Sequence, residues 1–242
     1  AVEAKQVFSR QRWGITGEAG FFHDPFYSPG SDFIALANTM LVDLVRRDLA
    51  GRGFRARAFS YDRIYKRFYY GTITAYQDQY EVFGNPTVMP VKILWDYLMY
   101  WSITAFIFMQ GRTCQQLVYF RNLRNLKRLG DVNHYMQKFF RQGHQATAGE
   151  TSCGVIDISS LPIIRQFNAQ MLAPHHPKEH RQQFEADAAR PEMTGKEIVA
   201  QAGIAESYPF AAADRSDVLR NAFQGVFYPA AFEDAPAPVD VR

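Results

Sequence analysis

The chain has 242 residues, a hydrophobic content of 47% and a formal net charge of +3. It therefore has material for a substantial core, is too ordered in composition for a disordered protein, and lacks the excess basic charge of a general nucleic-acid binder. Cys114 and Cys153 form no metal or disulfide motif, which fits a reducing cytoplasm, so a cytoplasmic location is expected and no metal site is.

Trp13–Gly14–Ile15–Thr16 reads as a short strand edge. The glycine-rich turn Gly17–Glu18–Ala19–Gly20 follows, then the loop Phe21 to Pro29, then an apolar segment. Phe33, Ile34, Leu36, Ala37, Leu41, Leu44 and Val45 recur at helical spacing, which predicts a helix from Phe33 to Ala50 that stops at Gly51–Arg52–Gly53. Ser31 and Asp32 stand where its N-cap is expected. Glycines at 17, 20 and 30 let a ligand approach the backbone closely, and the free N–H groups at Gly30 to Phe33 favour an anion or an electron-rich ring edge. The commoner meaning of such a cluster, on spacing alone, is a capped turn.

A second helix is predicted from Ser60 to Phe83, with a tyrosine-rich stripe from Tyr61 to Tyr80 that reads first as core and second as an aromatic substrate wall. Gly84–Asn85–Pro86 ends it. Val88 to Met109 is the most apolar run, near the lower length limit of a membrane span, but Asp96 interrupts it and no charge asymmetry flanks it. A buried helix is expected, lining a pocket against the helix that begins at Ser31, with Asp96 paired to an Arg, Lys or Tyr. Two more amphipathic helices, 112–128 and 132–145, are predicted on either side of Gly130–Asp131. Their cations Arg121, Arg124, Lys127, Arg128, Lys138 and Arg141 form a basic face, which is either solvated or a docking surface for an acidic carrier protein.

Beyond Gly149 a short β-branched stretch, 154–162, precedes the loop Ala173–Pro174–His175–His176–Pro177. Short helices are expected over 181–205, broken at Pro191 and at Gly195–Lys196. His175, His176 and His180 lack an i, i+4 pair with a carboxylate partner and read as a solvated loop. The tail from Asp234 reads as disordered.

The run from Gly17 to Thr39 resembles the second flavin-binding segment of flavin-dependent halogenases and related FAD-dependent monooxygenases. There a Gly-Asp-Ala turn precedes Phe-x-x-Pro-x-x-Ser-x-Gly and a helix; the matching residues are Gly17, Glu18 and Ala19, then Phe22, Pro25, Ser28 and Gly30. The resemblance implies FAD as cofactor, with the acidic turn residue on its ribityl and pyrophosphate part and Pro25 to Ser31 against the ring. The implied cofactor-binding set is Gly17, Glu18, Ala19, Pro25, Ser28, Pro29, Gly30 and Ser31. Glu18 replaces the usual Asp, and Pro29 lacks the backbone N–H that helps to hold halide in halogenases proper. The implied partners are a small-molecule or carrier-tethered aromatic or unsaturated substrate, a flavin reductase and, optionally, halide.

No Gly-x-Gly-x-x-Gly turn occurs in the chain, although flavoproteins of this type cradle the ADP half of FAD with one. The expected fold class is therefore mainly α: the helical C-terminal region of an FAD-binding α+β flavoprotein with a short β remnant at its N-terminus. The expected divisions are 1–32, the end of the FAD-binding domain; 33–150, a helical core and substrate region; 151–233, a mixed helical region; and 234–242, the tail. No catalytic residue is named, because the lysine that relays oxidant in halogenases belongs to their N-terminal half. The alternatives are a flavin hydroxylase or dehydrogenase that never uses halide, and a non-catalytic helical binding module.

Overall fold

The computed structural model describes residues 2–147, 162–173 and 177–201. The protein is mainly α, with a two-stranded antiparallel sheet near its N-terminus. The chain divides into two units, Ala1–Gln77 with Thr104–Lys127, and Asp78–Ile103 with Arg128–Arg242.

In the first unit β1 (Val2–Glu3) pairs with β2 (Phe21–Phe22) in the register Val2 to Phe22 and Glu3 to Phe21. The strand expected at Trp13–Thr16 is absent: only Gly14 bridges, to Phe8, and Trp13 is exposed. Gly14 packs closely on Leu41: a Cβ there would reach 2.8 Å from Leu41 Cδ1.

Helix α1 (Pro29–Leu49) buries Phe33, Leu36, Ala37, Met40 and Leu44, whereas Ile34 and Val45, also at helical spacing, face out. Its N-cap is Ser28, not Ser31 or Asp32, because Pro29 occupies the first helical position, where a missing N–H costs nothing. It ends as expected: Gly51 has φ 65°, and the N–H groups of Gly51 and Arg52 close on the carbonyls of Asp48 and Arg47.

Helix α2 (Arg55–Ile73) starts five residues before Ser60 and ends ten before Phe83, followed by turns and the one-turn helix α3 (Tyr80–Phe83), which belongs to the second unit. The aromatic stripe packs as core: Tyr61, Tyr65, Tyr69 and Tyr76 are buried, and Tyr80, beyond the break, is exposed. The Tyr65 hydroxyl donates to the Phe33 carbonyl at 3.0 Å, which ties α2 to α1 and satisfies the buried phenol. Tyr61 and Arg57 add a second tie, donating to the Asp43 carboxylate at 2.7 and 3.0 Å.

In the second unit α4 (Val88–Tyr100) carries Val91, Lys92, Leu94, Trp95 and Leu98 inward, while Tyr97 is exposed. The expected single helix to Met109 is instead three pieces: α4, a π-helical turn over Trp101–Ala105, and α5 (Phe106–Met109). Asp96 is paired with a lysine, as expected: Lys92 Nζ lies 2.5 Å from its carboxylate.

After the short helix α6 (Gln116–Arg121) of the first unit, α7 (Leu123–Ala146) runs straight through Gly130–Asp131, where a break was expected. An interior glycine costs about 1 kcal/mol against alanine, less than the burial of Leu129, Met136, Phe139 and Phe140 on one stripe returns. Of the basic face, Arg121, Arg124, Lys127, Arg128 and Lys138 are exposed, and Arg128 pairs with Glu192 at 3.1 Å.

Helix α8 (Pro162–Leu172) is followed by α9 (Pro177–Gln201), which is continuous through both Pro191 and Gly195. A Cβ on Gly195 would stand 3.2 Å from the Trp95 ring, so this glycine provides room for the indole rather than a stop. The stretch 154–162 up to Leu161, His175, His176, the side chain of His180, Cys153 and the tail from Asp234 lie outside the described residues. Among the described residues no helix is long and apolar enough to cross a membrane.

Candidate functional site

The residues singled out in the sequence are brought together at the head of α1. Gly17–Ala19 forms one 3-10 turn that packs on the first turn of the helix. Two glycines make the approach possible. Gly17 has φ 56°, and a Cβ there would lie 2.6 Å from Ile34 Cγ1. A Cβ on Gly30 would lie 2.9 Å from the carboxyl carbon of Glu18. The Glu18 carboxylate therefore occupies the space beside the helix N-terminus that any side chain at position 30 would fill, an orientation the helix dipole favours.

Glu18, Ala19, Pro25, Ser28 and Ser31 are exposed, while Gly17 and Pro29 are buried and anchor the arrangement. Among the described residues the Glu18 carboxylate accepts no hydrogen bond and forms no ion pair. The donors around it are unequal: Pro29 has no N–H, and the Ser31 N–H points back to the Ser28 carbonyl at 3.3 Å.

The loop between β2 and α1 is held in an unusual backbone conformation. Tyr27 and Ser28, neither of them glycine, both have positive φ, 64° and 53°. Each such residue costs on the order of 1 kcal/mol or more, and persists only where its surroundings over-determine it. Here Asp24 accepts the Phe26 N–H at 2.8 Å, the Ser28 N–H closes on the Pro25 carbonyl at 2.9 Å, and the Tyr76 hydroxyl donates to the Phe26 carbonyl at 2.7 Å.

His23, which the sequence reading did not single out, is the buried polar group under this loop. Its ring stacks on Tyr69 with centroids 4.2 Å apart and on Tyr76 at 5.6 Å, and meets Phe33 edge-on at 5.1 Å. Nε2 lies 2.7 Å from Thr72 Oγ1, and Nδ1 is buried with no hydrogen-bond partner among the described residues. Burial pushes the imidazole pKa down to about 4, and Asp24 opposes it. An imidazolium over a tyrosine face gains up to about 2 kcal/mol, which falls short of its lost hydration. The signal was present as a lone histidine between Phe-Phe and Asp-Pro, but nothing in the spacing says that Tyr69, Thr72 and Tyr76 return to it.

Among the described residues no cluster of three or more His, Cys, Asp or Glu could hold a metal ion. No family model and no solved structure matches the chain. Among curated proteins it is similar to the flavin-dependent halogenase chlA of Dictyostelium discoideum, with 26% identity over 102 residues, 41% of this chain. The match spans 17% of that protein's own length. This is a distant relationship to a flavin-dependent oxidoreductase and goes no further than that.

Gly30→Ala is expected to displace the Glu18 carboxylate without unfolding the protein. The clash falls on the exposed end of a flexible side chain, so thermal melting should report a stability change within about 0.5 kcal/mol.

Proposed function

We propose that this chain supplies part of the flavin site of an FAD-dependent oxidoreductase of the halogenase and monooxygenase type, acting on an aromatic or unsaturated substrate, free or carrier-tethered. The observation that carries the reading is the seat of Glu18 beside Gly30, where an exposed carboxylate and a helix N-terminus meet within a segment that resembles a flavin-binding one. Gly17 and Gly30 let the turn close on the head of α1, with Ile34 and the Glu18 carboxylate filling the space a Cβ would take, and this seats the carboxylate at the exposed edge a ligand would border. Glu18 would accept hydrogen bonds from the ribityl hydroxyls, and Pro25, Ser28, Pro29, Gly30 and Ser31 would border the ring. Flavin supplies the redox chemistry when bound. The chain's residues bind it, orient it and keep water from one face. The four-part division at 32, 150 and 233, the substrate role of 33–150, the flavin reductase partner and the cytoplasmic location belong to this same proposal.

A reading without halide is favoured by a specific observation. Pro29 has no N–H to donate and the Ser31 N–H is already turned to the Ser28 carbonyl, so an anion at the head of α1 would find few free donors. A flavin hydroxylase or dehydrogenase needs no such donors. Assay of flavin-loaded protein with reductant, dioxygen and bromide separates the two, since bromination of product would establish halide use.

Flavin binding is tested by titrating FAD into the chain and following flavin fluorescence. With no Gly-x-Gly-x-x-Gly turn to cradle the pyrophosphate, affinity weaker than roughly 1 µM is expected. Glu18→Ala should weaken it about tenfold or more, the worth of a charge-assisted hydrogen bond, and Glu18→Asp far less. Equal affinity in both variants would remove Glu18 from the site, and no binding at millimolar FAD would favour the helical binding module.

A further inference from the structure

The loop Asp24–Ser28 is strained at Tyr27 and Ser28, yet it leads directly into α1, so something must hold it closed. Its outer tether is the Tyr76 hydroxyl on the Phe26 carbonyl at 2.7 Å. Tyr76 in turn lies parallel to the His23 ring, which Tyr69 supports from within. His23 thus joins the loop's N-terminal root to the tyrosine that clamps its middle.

The hydrogen-bond geometry selects one protonation state. Thr72 Oγ1 lies 2.9 Å from the Tyr69 carbonyl and 3.1 Å from the Phe68 carbonyl, so its single proton has backbone acceptors. The His23 ring then donates from Nε2 to Thr72 Oγ1, and Nδ1 is the bare nitrogen. A second proton would have to sit on Nδ1, which is buried and has no hydrogen-bond partner among the described residues. From α1 the ring meets only the apolar Phe33, and from α2 and the turn beyond it the phenols Tyr69 and Tyr76. Of the charged side chains, Asp24 favours a proton, but its carboxylate is engaged by the Phe26 N–H.

We propose that His23 is the positioning residue of the candidate site: as a neutral imidazole it seats the Asp24–Ser28 loop on the head of α1, and charging it releases the loop. This goes beyond the flavin proposal and does not depend on it, because it concerns the loop whatever ligand the loop borders. Releasing the loop removes Pro25 and Ser28 from the edge that Glu18 and Gly30 define. Ligand retention is thereby coupled to pH on the acid side.

The linkage has a definite sign. His23 is held at about 4 when seated and returns towards the ordinary histidine value of about 6.5 when released, so closure is full above about pH 6.5 and lost as pH falls towards 4. Between those limits the opening equilibrium rises up to tenfold per pH unit, or roughly 30-fold between pH 7.5 and pH 5. Hydrogen exchange on the full chain, corrected for intrinsic rates and read on peptides covering residues 21–31, measures this directly. The wild type should lose protection there by that factor while peptides from the middle of α1 lose little. His23→Phe keeps an aromatic ring in the slot and cannot take a proton, so its loop protection should change less than threefold over the same range. A parallel loss in His23→Phe, or unchanged protection in the wild type, overturns the proposal. Should His23→Phe not fold, NMR titration of His23 in the wild type decides. A pKa well below 6, with the amides of Phe26 to Ser28 moving with the imidazole, supports positioning; titration near 6.5, or without those amides, overturns it.

Discussion

Lys92→Met should cost the second unit about 3–5 kcal/mol in urea or thermal unfolding, the range expected when one partner of a buried ion pair is removed. Lys92 is fully buried, and its ammonium touches the Asp96 carboxylate at 2.5 Å and Gln137 Oε1 at 3.0 Å. Gln137 closes the triangle by donating to the other Asp96 oxygen at 2.7 Å. Burial pulls the Lys92 pKa down, and Asp96 works against that pull. Without the lysine, the Asp96 carboxylate loses its cation in a buried setting, which favours its protonated form.

That gives the variant a signature that a simple packing loss lacks. Burying a carboxylate without its cation disfavours the charged form, so the variant's loss is smallest in acid and grows as pH rises. Lys92→Met should therefore recover stability relative to wild type on acidification. The double variant Lys92→Met with Asp96→Leu should be less destabilised than Lys92→Met alone, because an apolar pair replaces a stranded charge. A loss under 1 kcal/mol for the single variant would mean that water reaches the pair.

The ion pair also shows what was legible from the residues alone. A carboxylate amid Trp95, Tyr97 and Leu98 had to be paired, and a lysine four residues earlier was within helical reach. Its third member, Gln137, sits on α7, and no periodicity could have named it. The same holds at the candidate site. Gly17 and Gly30 were visible because glycine spacing and a helix start leave marks in sequence, whereas Glu18 stood out only through the resemblance, and the cap itself was misplaced by reading Ser31–Asp32 ahead of Ser28–Pro29. His23 was not visible, since its burial is made by α2 residues some fifty positions on.

Helix breaks failed for the opposite reason. Gly130, Pro191 and Gly195 are local penalties, and the continuous helices α7 and α9 run through them. For α7 the return is the apolar stripe it buries; at Gly195 it is the face of Trp95. Pro191 is buried within α9, and the structure offers no comparable account of why proline stands there.

Trp95→Ala is the second large loss expected, about 3–5 kcal/mol, and it should be the harder to repair. The indole is fully buried, sits 3.2 Å from where a Gly195 side chain would begin, and donates from Nε1 to Asn133 Oδ1 at 2.8 Å. Truncation removes the largest apolar surface of this core and leaves a void against Met136 and α9. It also takes one donor from Asn133, whose Oδ1 keeps the Gln137 amide at 3.2 Å. Trp95→Phe retains most of the volume and loses the hydrogen bond, so the difference between the two variants separates packing from polarity. Gly195→Ala probes the same contact from the other side: its Cβ would press on the ring at 3.2–3.3 Å, and should destabilise wild type while costing less, or helping, in the Trp95→Ala background. Additive effects of Trp95→Ala and Gly195→Ala in a double-mutant cycle would show that the glycine is not there for the tryptophan.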